Sequence, residues 1–447
     1  MGPIPFLFAE QTHLNFTKNL CRRFGGGMEI IMKKYDLCVV GGGLTGVAAA
    51  VVAARRGLSV LLVERSGCLG GAMANCLVYP FMQYFTETEN GQKLLVDGIF
   101  TEMRAKSKTV KGFGTTYKFD TEDFKFALDD MVVEAGVDVL FHATLFEVLT
   151  DAREVKKLRL AVKSGVMEVE ADFFIDASGD GDLFAFAGCE YQLGREADNL
   201  CQPMTTCFRM TNVDVQKFVE DKPRLQELYK KLKAEGKIKN PREDLLIFLT
   251  PTDNMLHFNT TRIVKHDPTD PIAVSKAEMT ARAQIREMAA FLKENCEAFA
   301  NASISDIAAD IGVRESRKLV GEHVLTVDEL KACTKFEDAI ALGNYDVDIH
   351  NPEGAGTSHY MFAPGEYYSI PYRSLLPKEF DNLLVAGRCL SATHEAQASV
   401  RIMPICTALG EAAGVAAAVA KATGTNTHTV DVATVRAELK KNGAAVD

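Results

Sequence analysis

The chain has 447 residues, enough for two or three domains around at least one large core, and its 47% hydrophobic and 25% charged content is that of an ordinary globular protein. A net charge of −10 argues against nucleic acid or an anionic membrane as the main partner. Eleven scattered cysteines without any C-x-x-C fit reduced thiols in a cytoplasmic protein, and no uninterrupted apolar run approaches the roughly 18 residues that span a bilayer.

Residues 1–33 differ in character from the rest of the chain and lack the basic stretch that opens a secretory signal. Met28 or Met32, just ahead of the first strand pattern, is the expected natural start, with Gly25–Gly27 a translated ribosome-binding sequence; a disordered arm is the alternative.

Tyr35 to Glu64 organises the rest. Asp36–Val40 reads as a strand, Leu44–Arg56 as an alanine-rich helix, and Leu58–Val63 as a second strand ending at Glu64. Between strand and helix, Gly41, Gly43 and Gly46 form G-x-G-x-x-G, the turn that admits a pyrophosphate to a helix N-terminus. Glu64 lies eighteen residues after Gly46, where a carboxylate takes ribose hydroxyls. The loop after it, with Arg65 and the paired Gly70 and Gly71, is placed to wrap a ligand.

Further along, Leu94–Lys106 and Thr121–Gly136 have helical spacing, and Val137–Ala143 is a third strand. Leu145–Thr150, Lys157–Lys163 and Val166–Val169 read as an antiparallel meander. Phe173–Ile175 then runs into Asp176–Asp182, DASGDGD, where small residues let a strand end approach a ligand; an acidic surface turn is the competing reading. From residue 192 to 365 the pattern becomes mixed α+β. It holds a charged helix pair over Val213–Gly236, paired strands at Leu245–Leu249 and Met255–Asn259, and a long helix from Ser275 to Ala300. Residues 343–366, rich in Gly, Pro, Asn and His, suggest a loop over a site. Asn382–Ala386 returns to strand, and Pro404 opens an alanine-rich helix to Ala420, whose Gly410 and Gly414 form a slim face.

GGGLTG, Glu64, DASGDGD and NLLVAGRCLSATHEAQASVRIMPICTALGEAAG together resemble the FAD-dependent oxidoreductases grouped with the flavin-bearing subunit of heterodisulfide reductase. HFNTTR, DPTDP and GVRESRKLVGEHVLT in the insert are similar to the same group, and the likeness runs from Tyr35 to Gly424. It implies an α/β fold: a Rossmann-like FAD-binding domain of the glutathione-reductase type, interrupted by an α+β substrate or cap domain. The corresponding division is an extension at 1–33, FAD-binding segments at 34–191 and 366–425, a cap at 192–365 and a tail at 426–447. The resemblance puts the pyrophosphate on Gly41, Gly43, Leu44, Thr45 and Gly46, and the ribose on Glu64. Arg65, Gly70, Gly71, Leu145, Gly179, Asp180, Gly387, Arg388 and Met403 line the rest of the cofactor. The chain departs from that group in lacking its C-x₂-C-x₂-C-x₃-C iron–sulfur motif, so no metal centre is expected. There is no second strand-led GxGxxG, so a dedicated NAD(P)H domain is not indicated.

The expected reaction passes hydride or electrons between the flavin N5 and a small, anionic organic substrate. His257, Arg262, Arg314, Arg317, His394 and Arg401 are the candidate substrate groups, because arginine forks suit carboxylate or phosphate and histidine carries protons near neutrality. Each has a structural alternative. Arg314, Glu315 and Arg317 suit an internal salt-bridge cluster, and His257 a core position. Cys76, Cys389 and Cys406 read as small buried hydrophobes. Competing functions are an electron-transfer subunit serving a redox partner protein, an NAD(P)-dependent dehydrogenase, and a binding protein that holds FAD without turnover.

Overall fold

The computed structural model describes residues 20–24, 27–31, 34–107, 109–112 and 116–447. Its centre is a parallel sheet. Strand β1 (Tyr35–Val40) leads through helix α1 (Leu44–Ala54) to β2 (Val60–Val63). Helix α2 (Thr121–Ala135) precedes β3 (Asp138–Leu140). Strands β4 (Thr144–Asp151), β5 (Glu154–Val162) and β6 (Gly165–Asp176) then form an antiparallel meander. The end of β6 lies parallel to β1, Ile175 opposite Val39, and on its other side takes up β11 (Leu383–Val385), Ile175 opposite Leu384. The parallel order is therefore β3-β2-β1-β6-β11.

Alternation explains the layers. Leu37, Val39, Leu62 and Ile175 face α1 and the apolar helix α6 (Met403–Thr423), whereas Cys38, Val40, Leu61 and Phe174 face the meander residues Leu158, Leu160 and Val169. Two pieces expected as separate strands, 166–169 and 173–175, are one continuous strand. The charged stretch between them sits where β6 passes from one sheet into the other.

A second unit lies within residues 208–307. Strands β7 (Phe208–Thr211), β8 (Ile247–Leu249), β9 (Leu256–Phe258) and β10 (Ser303–Ile307) form an antiparallel sheet in the order β8-β9-β7-β10. Helices α3 (Val215–Ala234) and α4 (Pro271–Asn295) cover one face, their Phe218, Tyr229, Ile285 and Phe291 packing on Phe208, Met210 and Phe258. The expected helix pair at 213–236 is a single helix that continues through Pro223. The helix expected from Leu94 starts at Ile99, because 85–88 and 91–94 pair as a hairpin. In the N-terminal region, 20–24 and 27–31 pair as strands, and 28–31 lies parallel to Gly165–Glu168. Of the two expected starts, Met28 lies in the second of these strands, whereas Met32 and the rest of 1–33 lie outside the described residues.

Helix α5 (His394–Val400) ends just before α6, and α7 (Val432–Lys441) follows it. By length and composition α6 is apolar enough to cross a membrane, yet the fold buries nearly all of it. Its one acidic residue, Glu411, accepts hydrogen bonds from Ile99 N–H and Asn442 Nδ2, and burial pushes its carboxyl up to about 7. Because that folded value exceeds the unfolded one, Glu411's contribution to stability is complete below the ordinary carboxylate range and is lost as pH rises through about 7. Urea midpoints should therefore fall between about pH 5 and pH 8, and Glu411→Gln should flatten that fall by on the order of 2–3 kcal/mol.

Candidate functional site

The first half of the site is a backbone cradle. Gly41 adopts φ +104°, and a Cβ there would stand 2.4 Å from the Ala177 carbonyl oxygen, so the turn requires glycine. At Gly43, the residue capping α1, an added Cβ would meet only Gly71 Cα, at 3.8 Å, and no side chain caps the helix's free N–H groups. Gly70 lies in a parallel bridge with Gly43 and donates its N–H to the Gly42 carbonyl at 2.8 Å. Glu64, 5% exposed, accepts from Gly42 N–H through Oε2 and from Ser66 N–H through Oε1, each at 2.7 Å. Each carboxylate oxygen keeps a further lone pair.

The walls come from later segments. Leu145 is buried on β4, close to Ala143, whose N–H bonds the Glu64 carbonyl. Arg65 reaches Asp310 at 2.6 Å. Gly387 packs on Thr45, and Arg388 donates to Asp180 at 2.7 Å and to Ser316 at 3.1 Å, with Gly179 against its guanidinium. Burial works to raise the Asp180 carboxyl, but the Arg388 charge and Ser316 hold it below its usual range. Met403 begins α6, whose N-terminus also lacks a side-chain cap.

The second half is a buried polar cluster between these walls and the 208–307 unit. Arg314 donates to the Pro203 carbonyl at 2.5 Å and to Asn259 Oδ1 at 3.3 Å, and among the described residues it has no carboxylate partner. Burial, then the like charge of Arg401, pushes its guanidinium down to about 9. Arg401 lies 3.7 Å from Asp348 Oδ2 and donates weakly to Gln202. Asp348 Oδ2 also takes bonds from Tyr345 OH at 3.1 Å and, at 3.3 Å, from His350 Nε2.

The expected candidates divide by what already occupies them. Arg262 is consumed: it pairs with Glu243 at 2.5 Å and holds His350 Nδ1, the Gly356 carbonyl and Thr357, which latches the 349–358 hairpin onto the cluster. Arg317 pairs with Asp182 at 2.8 Å and is structural. Glu315 is fully buried between Lys318, at 2.5 Å, and His394 Nδ1, at 2.7 Å. Burial would raise its carboxyl, but those two partners hold it below its ordinary value. His394 also lines an open groove of about 410 Å³ with Arg195, Asn351 and Glu395. His257 lies on the sheet face opposite α3 and α4, paired across strands with Arg209 and Phe248 and 5.0 Å from the Tyr79 ring. Neither of its ring nitrogens has a hydrogen-bond partner among the described residues, and burial, then the Arg209 charge, pushes it down to about 3, so it is neutral. Asp348, His350 and Tyr345 were not singled out from the sequence; the one signal was the loop composition of 343–366. Among the described residues, no three His, Cys, Asp or Glu side chains converge as a metal site.

A family model described as FAD dependent oxidoreductase matches residues 36–439. The chain belongs to that family. FAD is accordingly its cofactor and oxidoreduction its chemistry, on the Rossmann-like fold described above. Digeranylgeranylglycerophospholipid reductase 2 of Methanothermobacter thermautotrophicus is 30% identical over 196 residues, 41% of this chain and 48% of the relative. The mitochondrial dihydrolipoyl dehydrogenase of Schizosaccharomyces pombe is 31% identical over 109 residues, 21% of each chain. The chain thus spans half or less of the length of these curated relatives. A solved geranylgeranyl bacteriochlorophyll reductase-like protein from Thermoplasma acidophilum aligns over 92% of this chain and 84% of its own, with 14% identity and a TM-score of 0.46. The residues present fit the family's cofactor. The glycine cradle, the uncapped helix end and the spare lone pairs of Glu64 suit a diphosphate and a ribose.

Breaking the buried Lys318–Glu315 pair should be costly, because it strands a carboxylate and the Gly194 carbonyl that Lys318 also serves. Lys318→Met is expected to lower the unfolding free energy by about 3–5 kcal/mol, read from urea denaturation followed by circular dichroism.

Proposed function

We propose that this FAD-dependent oxidoreductase acts on a small organic anion held by Arg314, with Arg401 beside it. One observation carries the reading: a half-buried guanidinium with no carboxylate partner among the described residues, next to a second arginine. Arginine keeps its charge when partly desolvated, and a fork that meets only neutral oxygens suits an anionic ligand. Arg401 precedes Met403 by two residues, which ties this charge to the N-terminus of α6.

In this reading the diphosphate rests on Gly41, Gly43, Leu44, Thr45 and Gly46, and Glu64 takes the ribose hydroxyls. Arg65, Gly70, Gly71 and Leu145 flank the adenosine end. Gly179, Asp180, Gly387 and Arg388 run beside the diphosphate and ribityl chain, and Met403 opens the helix that faces the flavin. Residues 192–365 serve as the cap, and Arg262 latches the 349–358 hairpin onto the cluster. FAD supplies the two-electron chemistry. The uncapped N-terminus of α6 favours negative charge at its end, while neutral His257 offers a hydrogen bond without adding charge. The heterodisulfide-reductase likeness is carried over only for its flavin half. A cytoplasmic setting is part of the proposal, supported by the ten free cysteines among the described residues. A geranylgeranyl lipid, as the relatives' names suggest, fits less well, since the groups that converge here are arginines, a carboxylate and histidines.

The test is an absorption titration of the FAD-loaded protein with small carboxylates. A saturable change in the flavin bands is expected, weakened at least about tenfold in Arg314→Met while FAD content is unchanged. A holoprotein that responds to no carboxylate, and exchanges electrons only with a protein partner, would overturn the proposal in favour of an electron-transfer subunit.

A further inference from the structure

Asp348 is 8% exposed, and its two oxygens are treated very differently. Oδ2 is crowded by Tyr345 OH, His350 Nε2 and Arg401. Oδ1 is buried and accepts no hydrogen bond among the described residues; His359 Nδ1, at 3.7 Å, is too far to donate. A buried carboxylate oxygen left without a donor is costly, and such atoms call for a partner.

The chemistry of that missing donor is set by which groups can still supply a proton. His350 cannot turn to Oδ1, because Arg262 donates to its Nδ1 at 3.0 Å. That fixes the imidazole proton on Nε2, already spent on Oδ2. Tyr345 is likewise committed. Arg314 lies within electrostatic reach of Asp348, and its own anionic partner is also missing. One unfilled acceptor and one unfilled cation therefore share a cluster.

Charge decides between ligand classes. Arg242 pairs with Asp244 at 2.8 Å, Arg262 with Glu243 at 2.5 Å, and Arg401 with Asp348 at 3.7 Å. Of the four arginines Arg242, Arg262, Arg314 and Arg401, Arg314 alone has no carboxylate partner among the described residues, so this set lacks one negative charge. A zwitterion such as an amino acid would bring none in net terms. A hydroxy acid brings one, together with an O–H donor.

Resting on the proposed anion site, we infer that the substrate is a small hydroxycarboxylate whose carboxylate meets Arg314 and whose hydroxyl donates to Asp348 Oδ1. Asp348 is then a specificity residue that reads the hydroxyl, and Tyr345 and His350 are positioning residues that keep its second oxygen occupied.

The experiment titrates FAD-loaded protein with acetate through hexanoate, their α-hydroxy and β-hydroxy counterparts, and their α-amino counterparts, following the flavin absorbance. A hydroxy acid should bind about ten- to a hundredfold more tightly than its parent acid, the range set by one hydrogen bond to a charged group. In Asp348→Asn the discrimination should collapse while binding of the parent acid is retained or tightened. Equal binding of hydroxylated and parent acids in the wild type would overturn the inference and leave the anion site standing. Preference for the amino acids would overturn the charge assignment. Absence of binding by every carboxylate would remove the anion site itself, and the inference with it. The wild-type comparison decides even if Asp348→Asn does not load FAD.

Discussion

Two helices that nearly touch set the geometry of everything else. A Cβ at Gly410 would lie 2.0 Å from the Thr45 carbonyl oxygen, and one at Gly414 would lie 2.3 Å from that of Ala49. The contacts advance together along α1 and α6, so the helices run parallel and present their positive ends on the same side. No side chain caps either end. Both ends lie on the side of the carboxyl ends of the parallel strands, where folds of this kind bind anionic ligands. This packing requires glycine at Gly410 and Gly414, which is why the slim face was visible in sequence.

Legibility in the sequence obeys the same logic. Gly41, Gly43, Gly46 and Glu64 are local: turn, helix and acid sit within thirty residues and their roles are dictated by backbone geometry. The arginines were not legible in that way. Arg262 and Arg314 look alike in sequence, but Arg262 finds Glu243 and the 349–358 hairpin while Arg314 finds only carbonyl and amide oxygens. Partners so distant in sequence leave no spacing to read. Asp348 and His350 escaped because a loop rich in Gly and Asn has no periodicity from which a buried face could be inferred. β6 was divided because Glu170 and Asp172 interrupt its apolar pattern, yet they lie where the strand changes sheets.

The polar interior shows two ways of handling buried charge. Around Glu315 every group is satisfied: Lys318, His394 and the Gln202 N–H close the set, and the result is rigidity. Around Arg314 the set is left open. Natural folds tolerate open polar sets chiefly where a ligand completes them, and the contrast within a few residues of one segment is what supports the proposed division into scaffold and site.

Ser316 follows them directly in the chain and has a wider consequence. Its hydroxyl bonds Asp180 and receives Arg388, both on the proposed cofactor side, while its neighbours Arg314 and Glu315 belong to the polar cluster. The glycine cradle's walls and the polar cluster are thus joined through one hydroxyl and one ion pair. The empty protein and the loaded one should then differ in how firmly the 311–318 segment is seated. In the proposed reading, taking up the dinucleotide also seats Arg314, so cofactor and substrate binding become one cooperative event.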